Sequence, residues 1–310
     1  MTAPTPLPRR RLLRTGLALT AAAAAVPVLG ASSASAAPRA SRGAGRADVG
    51  AELAALEQRY GARLGVYARN TRTGRFAAHR AGERFAMCST FKVFASAAVL
   101  RDGGGCAPLD RVIHYPAADI LPNSPRTAEH VGTGMSVGDL CAAAIQYSDN
   151  TAGNLLLRQI GGPAGLTAFL RTLGDDVSRL DRWETELNQA LPGDPRDTTT
   201  PEAAAADLER VTLGRALDRA GREQLLTWMK GNTTSAERFG RGLPPGWVLA
   251  DKTGTGDYAT ANDIGVAWTT RKTPVVLVVL STKPARDAAV DNALIADAAG
   301  VLARAVAPGE

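Results

Sequence analysis

Two periods of apolar and polar positions run along this chain, and they change over twice. A helical pattern covers about residues 51–60. Strand-like runs follow at 63–70 and 75–79, with Thr71-Arg72-Thr73-Gly74 between them as a hairpin turn. From Ser89 to about Asn232 the spacing is mostly helical, with runs near 89–101, 136–147, 150–160, 163–173, 201–212 and 221–230. Thr200-Pro201-Glu202 marks one helix start, with a hydroxyl cap, a proline in the first turn and an acid beside it. Strand-like runs return at 247–253, 263–270 and 274–282, and an Ala-rich helix from about residue 287 closes the chain. No internal repeat is visible. Strands at both ends and helices between them imply an α+β fold. An antiparallel sheet domain with flanking helices is expected from residues 49–83 and 231–310, with an all-α domain, 84–230, inserted into it. A ligand cleft is expected between the two.

The N-terminus departs from this pattern. Arg9-Arg10-Arg11-Leu12-Leu13-Arg14 is a charged region of twin-arginine character, the segment from Leu17 to Leu29 is apolar and rich in alanine, and Ala34-Ser35-Ala36 has the form of a cleavage site. Residues 1–36 are therefore expected to be an export signal and 37–48 a mobile leader, giving an extracytoplasmic, secreted protein. The apolar stretch is too short for a membrane span, so no stable anchor is expected once the signal is removed.

Composition narrows the function classes. The chain has 310 residues, 45% hydrophobic and 21% charged, as expected of a globular protein. Its net charge of +6 owes four arginines to the first 36 residues, which hold no acid, so no nucleic-acid footprint remains. Of the 36 basic residues only five are lysines (92, 230, 252, 272 and 283), and two of these stand in the motifs below. Among Cys88, Cys106 and Cys141 the odd count leaves at least one free thiol. Cys88, although next to Ser89, is read as a small buried residue rather than a nucleophile. His79, His114 and His130 stand in no triad motif and lack close metal-ligand spacing, so neither a metal nor another cofactor is expected.

Ser89 and Lys92 are three residues apart at the head of an apolar run. On a helix they share a face with Cβ atoms about 5–6 Å apart, close enough for an amine to share a proton with a serine. A serine needs such a base to be an effective nucleophile. Alone, the spacing is common. Ser148-Asp149-Asn150 lies at the junction of two helical runs. It reads either as helix caps or as a hydroxyl and an amide facing a cleft. Lys252-Thr253-Gly254-Thr255-Gly256 ends an apolar strand with a cation, hydroxyls, and glycines that let a ligand approach the backbone. Between Arg182 and Thr200 runs a long connection with Pro192, Gly193 and Pro195. Segments of this kind are more often functional than idle. In it Glu184 and Asn188 are placed to hold a water, and Arg182 and Asp197 to pin the neck.

Together these motifs, in this order, resemble the class A serine β-lactamases. The resemblance runs from about residue 50 to the C-terminus and includes Asp181-Arg182-Trp183-Glu184 and Arg196-Asp197-Thr198-Thr199. It implies a monomer acting on β-lactam antibiotics. Ser89 would form the acyl-enzyme, Lys92 and Glu184 would manage its proton, and Glu184 would activate the deacylating water with help from Asn188. Whether Lys92 or Glu184 is the acylation base stays open. The backbone N–H groups of Ser89 and Thr255 would form the oxyanion hole. Ser148, steadied by Lys252, would pass a proton to the lactam nitrogen, and Asn150 would bind the substrate side-chain amide. Lys252, Thr253, Gly254 and Thr255 would line the substrate carboxylate site, with Arg238 as a second cation.

The chain departs from the family pattern in three places. Asn123 stands where an aromatic often borders the cleft. Thr185 follows Glu184 where proline is frequent, and a cis Glu184–Thr185 peptide is expected. Gly256 stands where some carbapenem-hydrolysing members carry a cysteine bridged to one before the nucleophile, so Cys88 is expected to lack that bridge. The rival readings are a DD-peptidase and a penicillin-binding sensor domain. Both are acylated at serine without rapid release; the Glu184 loop argues against the first, and the second would normally carry a membrane span, of which none is evident.

Overall fold

The computed structural model describes residues 41–102 and 108–310. The expected export signal and Cys106 lie outside the described residues. In chain order the elements are α1 (Ser41–Tyr60), β1 (Arg63–Asn70), β2 (Phe76–His79), β3 (Phe85–Ala86), α2 (Phe91–Asp102), β4 (Val112–Ile113), β5 (Met135–Ser136), α3 (Val137–Gln146), α4 (Asn150–Gln159) and α5 (Gly162–Thr172). Then follow β6 (Thr198–Thr199), α6 (Pro201–Thr212), α7 (Arg219–Lys230), α8 (Phe239–Gly242), β7 (Val248–Gly256), β8 (Thr260–Trp268), β9 (Pro274–Thr282) and α9 (Asn292–Val306).

The sheet has strand order β2-β1-β9-β8-β7, every neighbouring pair antiparallel. Both chain ends thus meet in one sheet, as the change of period implied. One face packs on α1 and α9 through Leu53, Leu277, Ile295 and Leu302. The other packs on the larger core of α2 to α7, through Val276, Val278 and Leu280. Buried on both faces, β9 reads as Val-Val-Leu-Val-Val-Leu without alternation.

Helix α2 is the centre of the larger core. Phe91, Val93, Phe94, Ala95, Ala97, Ala98 and Val99 are all buried, so the helix is apolar around its whole circumference. Each large side chain there contributes about 1.5–3 kcal/mol by leaving water. Lys92 lies in this surface, entirely buried. Helix α4 approaches it closely because Gly153 has no side chain: a Cβ there would lie 2.8 Å from Lys92 Cε.

The expected caps form. Thr200 accepts from Ala203 N (3.2 Å), with Pro201 in the first turn of α6. Asp149 caps α4 by accepting from Ala152 N (2.8 Å), and its other oxygen takes the N–H groups of Arg126 and Thr127. Several boundaries differ from expectation, β8 among them, which runs from Thr260 to Trp268 rather than over 263–270. Part of the segment read as leader, from Ser41, belongs to α1, because extending a helix that is already anchored costs far less than starting one. Strand β7 continues through Gly254 to Gly256, because pairing of Gly254 with Asn262 and Gly256 with Thr260 overrides the low strand preference of glycine. Helix α9 starts at Asn292 rather than near 287. The preceding segment is instead a bend and turn over 284–287, held by Tyr258 N bonding to Arg286 O and by an Asp257–Arg286 ion pair. The β3–β6 bridge, pairing Phe85 with Thr199 and Ala86 with Thr198, was not legible in the sequence.

Candidate active site

Ser89 sits in a single 3₁₀ turn, Cys88–Thr90, between β3 and α2. The turn is tied down from three sides. Met87 N donates to Asp197 O (2.9 Å), and Thr90 Oγ1 donates to Met87 O (2.7 Å). Asn262 of β8 sends Nδ2 to both Ala86 O (2.8 Å) and Met87 O (3.2 Å). Strand β7 lies against the same turn. A Cβ on Gly254 would stand 2.9 Å from Met87 O, and one on Gly256 would stand 2.7 Å from Cys88 Sγ. Thr255 lies between these two close approaches.

Lys92 Nζ is 2.9 Å from Ser89 Oγ. The same nitrogen reaches Ser148 O (2.8 Å), Asn150 Oδ1 (2.7 Å) and Glu184 Oε1 (3.0 Å). Four acceptors therefore surround a group that has three protons even when charged. Burial and the Glu184 carboxylate act on this amine in opposite senses. In the structure burial wins, pushing Lys92 below the ordinary lysine range although Glu184 opposes it.

Glu184 arrives from the long connection with its side chain buried. Its Oε1 accepts from Ser89 Oγ (3.3 Å) and its Oε2 from Asn188 Nδ2 (2.5 Å). The Glu184–Thr185 peptide is cis, as expected. Asn188 Oδ1 is buried, and no donor among the described residues reaches it. The expected neck also forms: Arg182 Nε meets Asp197 Oδ2 at 2.5 Å, and Asp197 Oδ1 takes the N–H groups of Asp181 (2.7 Å) and Arg182 (2.9 Å).

Ser148 stands between the two lysines in a left-handed conformation (φ 56°). Its carbonyl takes Lys92, and its Oγ accepts from Lys252 Nζ (3.0 Å). Lys252, wholly buried, also donates to Thr253 O (2.7 Å). Burial, and then repulsion from Lys92, push it well below the ordinary range. Asn150 is engaged at both ends of its amide, with Oδ1 on Lys92 and Nδ2 donating to Pro122 O (2.9 Å). Thr253 Oγ1 pairs with Thr234 Oγ1 (2.5 Å). Arg238 lies buried behind β7 and reaches the site through Thr255: Nη2 donates to Thr255 Oγ1 (2.8 Å) and Nη1 to the carbonyls of Gly254 and Asn262. Asn123 donates to Ser148 O (3.2 Å).

All the expected site residues thus fall around Ser89, and two residues not singled out from the sequence join them. Asn154, one helical turn beyond Asn150, clamps the backbone of Glu184 in both directions, accepting from its N–H (2.9 Å) and donating to its carbonyl (3.0 Å). The other is Asn262, which holds the serine turn. The position of Asn154 on the Asn150 face of α4 was the available signal; Asn262 had none. Cys88 is buried and free, and burial first, then Glu184, push its thiol up, so it is no thiolate at neutral pH.

The model of the β-lactamase enzyme family matches residues 48–306. The chain is 53% identical over 255 residues to β-lactamase AST-1 of Nocardia asteroides, covering 82% of each chain. The chain belongs to the class A β-lactamases. This β-lactamase is also 49% identical over 249 residues to the carbapenem-hydrolyzing β-lactamase KPC of Klebsiella oxytoca, covering 80% of this chain and 85% of that one. Among solved structures, the β-lactamase from Streptomyces albus G matches with a TM-score of 0.81 at 50% identity, covering 84% of this chain and 99% of the other. As a class A β-lactamase the protein is a hydrolase that acts on the amide bond of β-lactams, and that activity is antibiotic resistance. Among the described residues no helix is long and apolar enough to cross a membrane.

Proposed function

We propose that this β-lactamase works through an acyl-enzyme on Ser89 that is released by water activated at Glu184. The observation that carries this reading is the convergence of two bases on one hydroxyl, Lys92 Nζ at 2.9 Å and Glu184 Oε1 at 3.3 Å. In acylation Ser89 Oγ bonds to the lactam carbonyl carbon as its proton leaves to one of these two bases. The carbonyl oxygen is stabilised by the N–H groups of Ser89 and Thr255, in front of α2. The carbon–nitrogen bond then breaks, and Ser148 Oγ hands a proton to the ring nitrogen while Lys252 holds that hydroxyl. Lys252, Thr253 and Thr255 take the substrate carboxylate, and Arg238 adds its charge through Thr255. Asn150 keeps one amide proton for the substrate side chain.

In deacylation Glu184 takes a proton from water as the water oxygen bonds to the ester carbon; the bond from that carbon to Ser89 Oγ then breaks, and the proton held by Glu184 passes to Ser89 Oγ as the ring-opened acid leaves. Asn188 Oδ1 supports this step as a buried acceptor for the second water proton. We further read residues 84–230 as a helical domain inserted into the sheet domain, and the protein as an exported monomer without metal or cofactor.

The test is turnover of a chromogenic cephalosporin together with mass spectrometry of Glu184→Ala after exposure to a penicillin. Many turnovers by the native protein and a persistent adduct on Ser89 in the variant are expected. A single stoichiometric burst from the native protein would mean a peptidase or a sensor instead, and unchanged turnover in the variant would remove Glu184 from its role.

A further inference from the structure

Outside the residues that meet at Ser89, a pair of buried carboxyl groups lies at the root of the loop that carries Glu184. Asp175 follows α5, and Asp207 is on α6, in the second turn after the loop rejoins the helices. Both are buried, at 5% and 1% exposure. Their side chains are in hydrogen-bond contact. Yet one oxygen of each, Asp175 Oδ2 and Asp207 Oδ2, has no donor among the described residues. Two buried carboxyl groups that bond to each other need a hydrogen between them.

We propose that Asp175 and Asp207 share one proton, and that this proton fastens the root of the Glu184 loop to α6 and so positions Glu184 for deacylation. The proposal rests on the reading of Glu184 as the deacylating base.

The contacts run from the pair to the loop without a gap. Asp175 Oδ1 accepts from Val177 N (2.7 Å) and Ser178 N (3.0 Å). Ser178 Oγ meets Thr199 Oγ1 (2.6 Å), which closes the entering strand of the loop on the leaving one. Arg179 N then donates to Thr198 O (3.0 Å), and the Asp181–Arg182–Asp197 cluster forms the neck beyond it. The acid pair is thus the lowest of a series of cross-links between the two ends of the loop.

Burial, then the hydrogen bond and the charge of Asp175, push Asp207 up to about 9. Burial also acts to raise Asp175, but hydrogen bonds from Asp207 and Ser178 hold it below the ordinary range. At neutral pH the proton therefore sits on Asp207 and is donated to Asp175. The charged groups around the pair are few. Arg210, on α6 itself, approaches Asp207 Oδ1 at 3.3 Å and opposes the upward shift. Arg171 of α5 turns to the carbonyls of Asp175 and Ser178. Arg101 of α2 reaches Thr172, and Arg69 of β1 is paired with Glu209. None of these replaces the proton, so its loss sets two buried carboxylates against each other at the foot of the loop.

The experiment measures acylation and deacylation separately by stopped flow, from pH 6 to 10.5, in the native protein, Asp207→Asn and Asp207→Ala. The expected native deacylation rate falls above pH 9, by about tenfold one unit beyond the midpoint, while acylation does not follow the same curve. The amide of Asp207→Asn donates without titrating, so this variant keeps its deacylation rate at high pH. Asp207→Ala, lacking any donor, deacylates slowly throughout. Carbon-13 spectra of the aspartate carboxyls should show, beside those of buried Asp251 and Asp263, a group that titrates near 9 in the native protein and is absent from Asp207→Asn. If Asp207→Asn fails to fold, Asp175→Asn offers the same donor from the other side and the native spectra still stand. The proposal is overturned if Asn and Ala variants share one profile, if Asp207→Asn leaves the alkaline limb in place, or if no aspartate titrating above pH 7 is lost in Asp207→Asn. The carboxyl spectra need no turnover, so failure of the pair is distinguishable from failure of the Glu184 reading, which Glu184→Ala tests by itself.

Discussion

The floor beneath Ser89 and the loop that carries Glu184 contribute to the same site and are held in opposite ways. The floor is α2 and β7, regular elements whose middle residues are buried, and Lys92 and Lys252 take their positions from helix spacing and strand register, with Ser89 in the 3₁₀ turn that leads into α2. The loop has almost no regular structure beyond one 3₁₀ turn at Glu186–Gln189. Behind it lies a cavity of about 800 Å³, lined among others by Phe85, Leu191, Pro192 and Pro195, where a packed segment would have a core. Discrete polar links hold the loop instead: the Arg182–Asp197 neck, the Asn154 clamp and the bonds at its root. Burial is collective, so damage to the floor should affect fold and both chemical steps together. Polar links can be cut singly, so damage to the loop should separate release from attack.

The largest test of that contrast is Glu184→Ala, which should slow deacylation by about 10²–10⁴-fold and leave acylation of Ser89 measurable. Equal loss of both steps in single-turnover kinetics would erase the distinction between floor and loop. Next is the neck. Asp197→Ala removes the partner of the part-buried Arg182 guanidinium and the buried acceptor of two main-chain N–H groups, and should cost about 3–5 kcal/mol in urea unfolding. Deacylation should fall more than acylation in the protein that remains folded. On the floor, Gly153→Ala places a methyl group 2.8 Å from Lys92 Cε, and overpacking there should cost about 1–3 kcal/mol. Both steps should slow in parallel; a loss confined to deacylation would contradict the contrast.

A last test is the pH dependence of stability. Asp207 is raised to about 9, so between the ordinary carboxylate range and pH 9 the folded state holds a proton that the unfolded chain has lost. Stability from this group is complete below pH 4 and declines as pH rises to 9. Asp207→Asn should flatten that decline, and melting curves at pH 5, 7 and 9 should show its gain over the native protein growing with pH.

The same contrast explains what could be read from the sequence. Period and spacing gave α2, the β1 and β9 pairing partners from opposite ends of the chain, and the Ser89–Lys92 relation. The neck was legible too, because Arg182 and Asp197 bracket a stretch rich in proline. Asn154, Asn262 and the β3–β6 bridge were not, because each acts on main-chain groups distant in sequence and leaves no period. The pairing of Asp175 with Asp207 was hidden for a further reason: an aspartate in a helix interior reads as a solvent-facing residue until its burial is known. The boundary of α1 at Ser41 depends on helix propagation rather than on any marker in that segment.

Gly256 gives this protein an evolutionary neighbour one residue away. A Cβ at that position would stand 2.7 Å from Cys88 Sγ, so a cysteine there would bring a second sulfur to a thiol that is buried, free and already in place. The same Cβ would stand 2.6 Å from Asn188 O, the carbonyl that takes Asp257 N, and would press on the loop as it bonded to the serine turn. A single exchange would therefore add a covalent staple and shift the water-holding segment in one step. Stability and selectivity would change together, and selection acting on either one would carry the other with it.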